Sequence, residues 1–177
     1  LYLGGSVHIL RATDYPLPPE FDSVYKKAET LVFETDIKKL EDPVFAQKLM
    51  MGSMYTDERT LQGVLSSKTY QELETECKKV ELPIANLSKF KPSMVVLLIT
   101  VTKMKQLGIN EDGVDKYFYN KAIKDHKKTI GLETAEKQLT LLTNMGSGNE
   151  EEFVKHSLKD FKKLDKELSS LIGAWKN

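Results

Sequence analysis

The tightest constraint on this chain is a pair of short apolar runs with room between them for little more than one helix. Residues 2–10 are apolar and partly β-branched, with Gly4 and Gly5 in their middle, and predict a buried strand that ends near His8. Pro16, Pro18 and Pro19 then break regular structure, and residues 20–29 predict a short helix. Residues 30–34, TLVFE, form a second buried-strand pattern that runs into acid at Glu34 and Asp36. Strand, helix and strand in so short a span predict a parallel βαβ unit, the opening of an α/β sheet.

Beyond that point the pattern turns helical. Asp42 and Pro43 suit the N-cap and first position of a helix reaching residue 51. Residues 60–65 predict a short helix, and residues 67–80 a longer one with Tyr70, Leu73, Cys77 and Val80 on one face. Residues 92–107 contain MVVLLITV, which is strand-like in composition. Their length, Pro92 at the start and Gly108 after the end predict a buried helix instead. Further helices are expected over 113–126, 134–145 and 150–175, the last with a stripe of Phe153, Phe161, Leu164, Leu168 and Leu171, and a third short strand over 129–132. The expected class is α/β (α+β), helix-rich with a small, mostly parallel sheet, in one domain over residues 1–177.

Composition narrows the function classes. The 26 basic and 26 acidic residues cancel, so no global field draws nucleic acid or anionic lipid, which argues against a nucleic-acid binder. No apolar run approaches the roughly 18 residues needed to span a bilayer. Cys77 stands alone, so no internal disulfide forms and the compartment stays open. It lies in a run of helical charge and reads as a small apolar filler rather than a nucleophile. The chain starts at Leu1 inside a strand pattern, so a processed or excised product is expected.

Three strand ends carry residues with chemistry. His8 follows Gly5, Ser6 and Val7 at the end of the first strand pattern, where parallel sheets bind ligands, and glycine there permits close backbone approach. Glu34, followed by Asp36, ends the second. If those strands are adjacent and parallel, an imidazole and a carboxylate share one edge and suit a divalent metal or an acid–base pair. Glu133 ends the third, with Thr134 placed to cap the next helix. Taken singly, each is more often a solvated, capping or salt-bridged side chain; the three together favour a site. His126 sits among Lys124, Lys127 and Lys128, and His156 on the polar side of the last helix. Neither makes a known metal spacing.

These same segments carry a family resemblance. LYLGGSVHIL, YPLPPEF and LVFETDI, then FKPSMVVLL, LGI with GVDKYF, GLETAEKQL and LIGAWKN, resemble the TraB/PrgY/GumN (Tiki-like) family in order and spacing. Each motif is loose, the ordered series is specific, and it covers nearly the whole chain. The resemblance implies a fold like that of the erythromycin esterase/ChaN-like superfamily and a metal-dependent hydrolase, the Tiki branch being proteases that cleave a secreted signalling protein with manganese or cobalt. The proposed family site has two GxxH motifs and a glutamate. The first GxxH maps onto Gly5 and His8 and the glutamate onto Glu34, with Asp36 and Glu133 as supporting positions.

The second GxxH and the arginine-containing stretch before it have no counterpart up to Asn177. The expectation is therefore a chain lacking its C-terminal part, holding half a metal site and inactive by itself. On this reading His8 is a metal ligand, Glu34 a ligand or general base, the cofactor a divalent ion (manganese or cobalt) and the partner a peptide or protein substrate. Bacterial relatives commonly carry export signals, which implies an extracytoplasmic (periplasmic or secreted) location. An uncovered apolar face on the last helix would promote a homo-oligomer. The alternative is a non-catalytic module that binds or sequesters peptides, with His8 and Glu34 lining a cleft without turnover; in a third reading the strand-end residues are structural only.

Overall fold

A computed structural model describes residues 1–176; Asn177, the last residue of the LIGAWKN segment, lies outside the described residues. The chain forms β1 (Ile9–Arg11), a 3-10 turn (Ala12–Asp14), α1 (Pro19–Lys27), β2 (Thr30–Thr35), α2 (Ile37–Leu40) and α3 (Pro43–Gly52). Then come α4 (Ser67–Lys79), a second 3-10 turn (Ile84–Leu87), α5 (Pro92–Gln106), β3 (Ile109–Asp112) and α6 (Val114–Lys124). It closes with β4 (Lys128–Glu133), α7 (Ala135–Asn144), α8 (Glu150–Phe161) and α9 (Leu164–Lys176). The class is α/β and helix-rich, as the sequence predicts.

Local chemistry explains where most helices begin. Asp42 caps α3 by accepting from the Val44 amide at 2.8 Å, with Pro43 at the first position. Ser66 caps α4 and Thr134 caps α7, each accepting from the amide three residues on. The MVVLLITV run is helical within α5, as its length and flanking Pro92 and Gly108 predict. Acidic Glu150, Glu151 and Glu152 occupy the first turn of α8, where they complement the helix dipole.

The strands pair differently from the expected βαβ unit. β2 runs parallel to β4, with Thr30 opposite Lys128 and Thr35 opposite Glu133. β1 pairs antiparallel with β3, Ile9 opposite Asp112, and not with β2. The first strand is also shorter than predicted, and His8 precedes it rather than ending it. Gly4 and Gly5 bring no side chains to pack, and the polar groups of this segment bond to helices instead: the Val114 amide donates to the Val7 carbonyl, and the Trp175 indole to the Gly5 carbonyl. β3 escapes prediction because INED contains a single apolar residue, Ile109.

Two helix expectations also change. Residues 60–65 form turns, held by the Gly63 amide donating to Thr60 Oγ1, while Leu61 and Leu65 still bury. The last predicted helix is two, since around Lys162 and Lys163 the amides bond three residues back rather than four. Beyond the break Leu164 and Leu168 are half-buried and Leu171 is exposed, while Ile172 is buried and Trp175 packs on Phe21.

Two apolar cores result. One is largely aliphatic and joins α4, α5 and α8 through Leu73, Val95, Ile99, Val154 and Leu158. The other joins β1, β2, α1 and α6 and is rich in aromatic rings: Tyr25, Phe33, Phe118 and Tyr119. Alternation along β2 turns Phe33 and Thr35 inward and Val32 and Glu34 outward. Among the described residues no helix is long and apolar enough to cross a membrane.

Candidate functional site

The segment holding His8 is stitched to the start of α6. The backbone bond from Val114 to Val7 is 2.9 Å. Ser6 Oγ donates to Asp115 Oδ2, and His8 Nδ1 lies 2.7 Å from the same oxygen. Gly113 makes this approach possible: a Cβ there would fall 2.2 Å from the Val7 carbonyl oxygen and from the His8 carbonyl carbon. Asp115 occupies the second position of α6, where the unpaired amides and dipole of a helix N-terminus favour a carboxylate.

Glu34 arrives from β2 and is held from the other side. Gln138 Nε2, on α7, donates to Glu34 Oε1 at 3.0 Å and to Glu133 Oε2 at 2.9 Å, and the other Glu133 oxygen takes the Lys137 ammonium. Gly131 lets the ends of β2 and β4 meet, because a Cβ at that position would sit 2.5 Å from the Asp36 amide nitrogen. Glu34 is thus left with Oε2 facing His8 Nε2 at 3.9 Å. Both side chains are largely exposed, 72% for His8 and 60% for Glu34, whereas Asp115 is 23% exposed. They line a cleft of about 430 Å³ together with apolar Phe33, Ile37 and Leu40.

The electrostatics follow from these contacts. The hydrogen bond to Asp115 raises the His8 pKa above its ordinary value, with desolvation opposing and the charges of Asp115 and Glu34 adding. For Asp115, burial pushes the carboxyl up, but the bonds from His8 and Ser6 outweigh it and hold the pKa below the usual carboxylate value. Glu133 is also lowered, first by its bond to Lys137.

The predicted residues therefore assemble in part. His8 and Glu34 come together although β1 and β2 are not paired. Glu133 connects to Glu34 through Gln138. Asp36 begins α2 with no side-chain capping bond and is not among the residues lining the cleft. At Gly5 a Cβ would make only ordinary contact with Trp175, at 3.6 Å. Sequence reasoning missed Asp115 and Gln138, although GVDKYF and GLETAEKQL contain them; the usable signal was an acid just after Gly113 at a helix start.

The chemistry of the pair suits a cation. A carboxylate only accepts, so the His8–Asp115 bond is donated by Nδ1–H, and in the neutral ring Nε2 carries a lone pair. Nε2 and Glu34 Oε2 are then two acceptors facing each other across a gap too wide for a hydrogen bond. A divalent ion would find in the pair an imidazole nitrogen and a carboxylate oxygen, two donor types that suit it. Among the described residues no group of three or more His, Cys, Asp or Glu is arranged to hold a metal.

The model of the TraB/PrgY/gumN family matches residues 1–177, and the chain belongs to that family. It is 26% identical over 145 residues to the uncharacterized protein YbaP of Escherichia coli (strain K12), a stretch that is 81% of this chain and 52% of that protein. YbaP of Shigella flexneri matches with the same identity and coverage. The chain thus spans about half the length of the curated relatives it matches. No solved structure matches it.

Proposed function

We propose that this chain supplies one side of the metal site of a metal-dependent hydrolase acting on peptide or protein substrates outside the cytoplasm. The observation that carries the reading is the approach of His8 Nε2, an acceptor in the neutral ring, to Glu34 Oε2 at 3.9 Å on the rim of an apolar-lined cleft. Imidazole with carboxylate suits manganese or cobalt as well as zinc. A divalent ion held by His8 and Glu34 would supply Lewis-acid polarisation of an amide carbonyl and would lower the pKa of a water. His8 supplies a lone pair from Nε2. Glu34, with Oε1 held by Gln138, keeps Oε2 free either to ligate or to take a proton from the attacking water. Phe33, Ile37 and Leu40 give substrate side chains an apolar wall. Further donors are expected from the part of a family-length chain that residues 1–177 do not include.

The test is peptide cleavage by the family-length protein, read by mass spectrometry across a peptide library with and without Mn²⁺. Metal-dependent cleavage that disappears in His8→Ala and Glu34→Gln supports the hydrolase. Retained peptide binding with no cleavage and no Mn²⁺ uptake replaces it with the non-catalytic peptide-binding module.

A further inference from the structure

We propose that Asp115 is a positioning residue: through Nδ1 it fixes the ring orientation and tautomer of His8, so that the Nε2 lone pair is presented to Glu34 and the cleft. The functional meaning rests on reading His8 as a ligand, whereas the geometry stands without it.

Three contacts converge on the first residues of α6. Ser6 Oγ and His8 Nδ1 both approach Asp115 Oδ2, and between them the Val7 carbonyl accepts from the Val114 amide. Among the described residues the second contact of the ring, to Glu34, is 3.9 Å long and both side chains are exposed, so it restrains the ring far less. An exposed imidazole free of such a bond rotates among rotamers and favours the opposite tautomer, with hydrogen on Nε2. A carboxylate at 2.7 Å from Nδ1 reverses that preference, because it accepts a proton and has none to donate. Asp115 suits the task because its backbone is locked in a helix and its side chain is mostly covered. Gly113 is part of the same device, since any side chain there would push the His8 backbone off α6. A carboxylate on the far nitrogen of a ligating histidine also raises the basicity of the near one.

The experiment reads the tautomer directly and needs neither metal nor substrate. In ¹⁵N-labelled protein at alkaline pH, where the rings are neutral, long-range ¹H–¹⁵N correlations report the protonated nitrogen of each histidine. The chain has three, and His8→Ala assigns the signal. The expected result is Nδ1–H for His8, shifting toward Nε2–H in Asp115→Asn. The indole N–H of Trp175, the single tryptophan, bonds the Gly5 carbonyl at 3.0 Å and shows whether the segment stays docked in the variant.

A wild-type His8 that is mainly Nε2–H overturns the proposal, and so does an unchanged tautomer in Asp115→Asn. Should the segment detach in that variant, the wild-type tautomer decides alone. A second arm measures Mn²⁺ affinity of the family-length protein, expected to fall about 10–100-fold in Asp115→Asn. Loss of Mn²⁺ binding altogether in the wild type sinks the hydrolase reading while leaving the tautomer result to stand or fall separately.

Discussion

The helical half and the sheet half of this molecule treat apolar surface in opposite ways. Around α4, α5 and α8 the core is closed: Leu61, Leu73, Cys77, Val95, Ile99 and Val154 have no exposure at all. Burial there pushes the Cys77 thiol up to about 11, so it serves as packing and not as a nucleophile. Around β2, β4 and α6 the aromatic layer covers one face of the parallel pair, and Val32, Ile130 and Leu132 stay exposed on the other. His8, Glu34 and Asp115 all belong to this second half. The candidate site sits in the half where apolar and polar side chains remain reachable. That separation is open to test by substitution.

The largest contrast is between two leucines. Leu73 on α4 is fully buried, and Leu132 on β4 is 77% exposed. Leu73→Ala removes a side chain that the surrounding helices cannot replace, and is expected to lower stability by about 3 kcal/mol. Leu132→Ser is expected to stay within about 0.5 kcal/mol, as surface substitutions do. Chemical denaturation followed by circular dichroism measures both. Equal losses would mean that the outer face of the sheet is sealed in solution, and the contrast would fail.

Charge gives a second, smaller contrast. Glu76 on α4 is 7% exposed and lies between Lys79 at 2.6 Å and Lys103 at 2.8 Å. Burial opposes its ionisation, yet the bonds from the two lysines hold its pKa below the usual value. Glu76→Ala leaves the Lys103 ammonium, 17% exposed, without a counter-charge and is expected to cost about 2 kcal/mol. This is less than for a sealed pair, because Lys79 remains 57% exposed and stays hydrated. Glu34→Ala, in the other half, is expected to change stability by less than about 0.5 kcal/mol while removing a proposed ligand. A destabilising Glu34→Ala would make that carboxylate a structural element.

The two halves also differ in how far the sequence foretells them. Helices α3, α4, α5 and α7 are legible from local signals: Asp42 and Pro43 at the start of α3, the apolar face of α4, Pro92 and Gly108 around α5, and Thr134 before α7. The sheet half depends on pairings across the chain. β2 and β4 read as strands, but nothing local says that Thr30 lies opposite Lys128 or that β1 prefers β3. The site shares this property. Glu34 is legible as a residue near a strand end and both it and His8 through the family resemblance, whereas His8 precedes β1 instead of ending a strand. Asp115 is legible in neither way, since its meaning lies in contact with a histidine 107 residues away and in a glycine, Gly113, whose constraint appears only once Val7 rests on it.

The smallest of the three contrasts tests whether the helical half is held by packing alone. Glu151, in the first turn of α8, reaches across to the N-cap of α4. It accepts from the Ser66 amide at 2.9 Å, the Ser66 hydroxyl at 2.8 Å and the Thr69 hydroxyl at 2.6 Å. The Thr69 bond contributes most to lowering its pKa to about 2, followed by the Ser66 amide, with burial opposing. A carboxyl depressed on folding stabilises the native state above its ordinary pKa, near 4.5, and loses that contribution as pH falls toward 2. Wild type is therefore expected to exceed Glu151→Gln in stability at pH 6, by less than about 1 kcal/mol for so exposed a group. The gap should close between about pH 4.5 and pH 2. Thermal melts of both proteins across that range measure it. A gap that persists at pH 2 would assign the loss to the shape of the amide rather than to charge, and would leave apolar packing as the main link between α4 and α8.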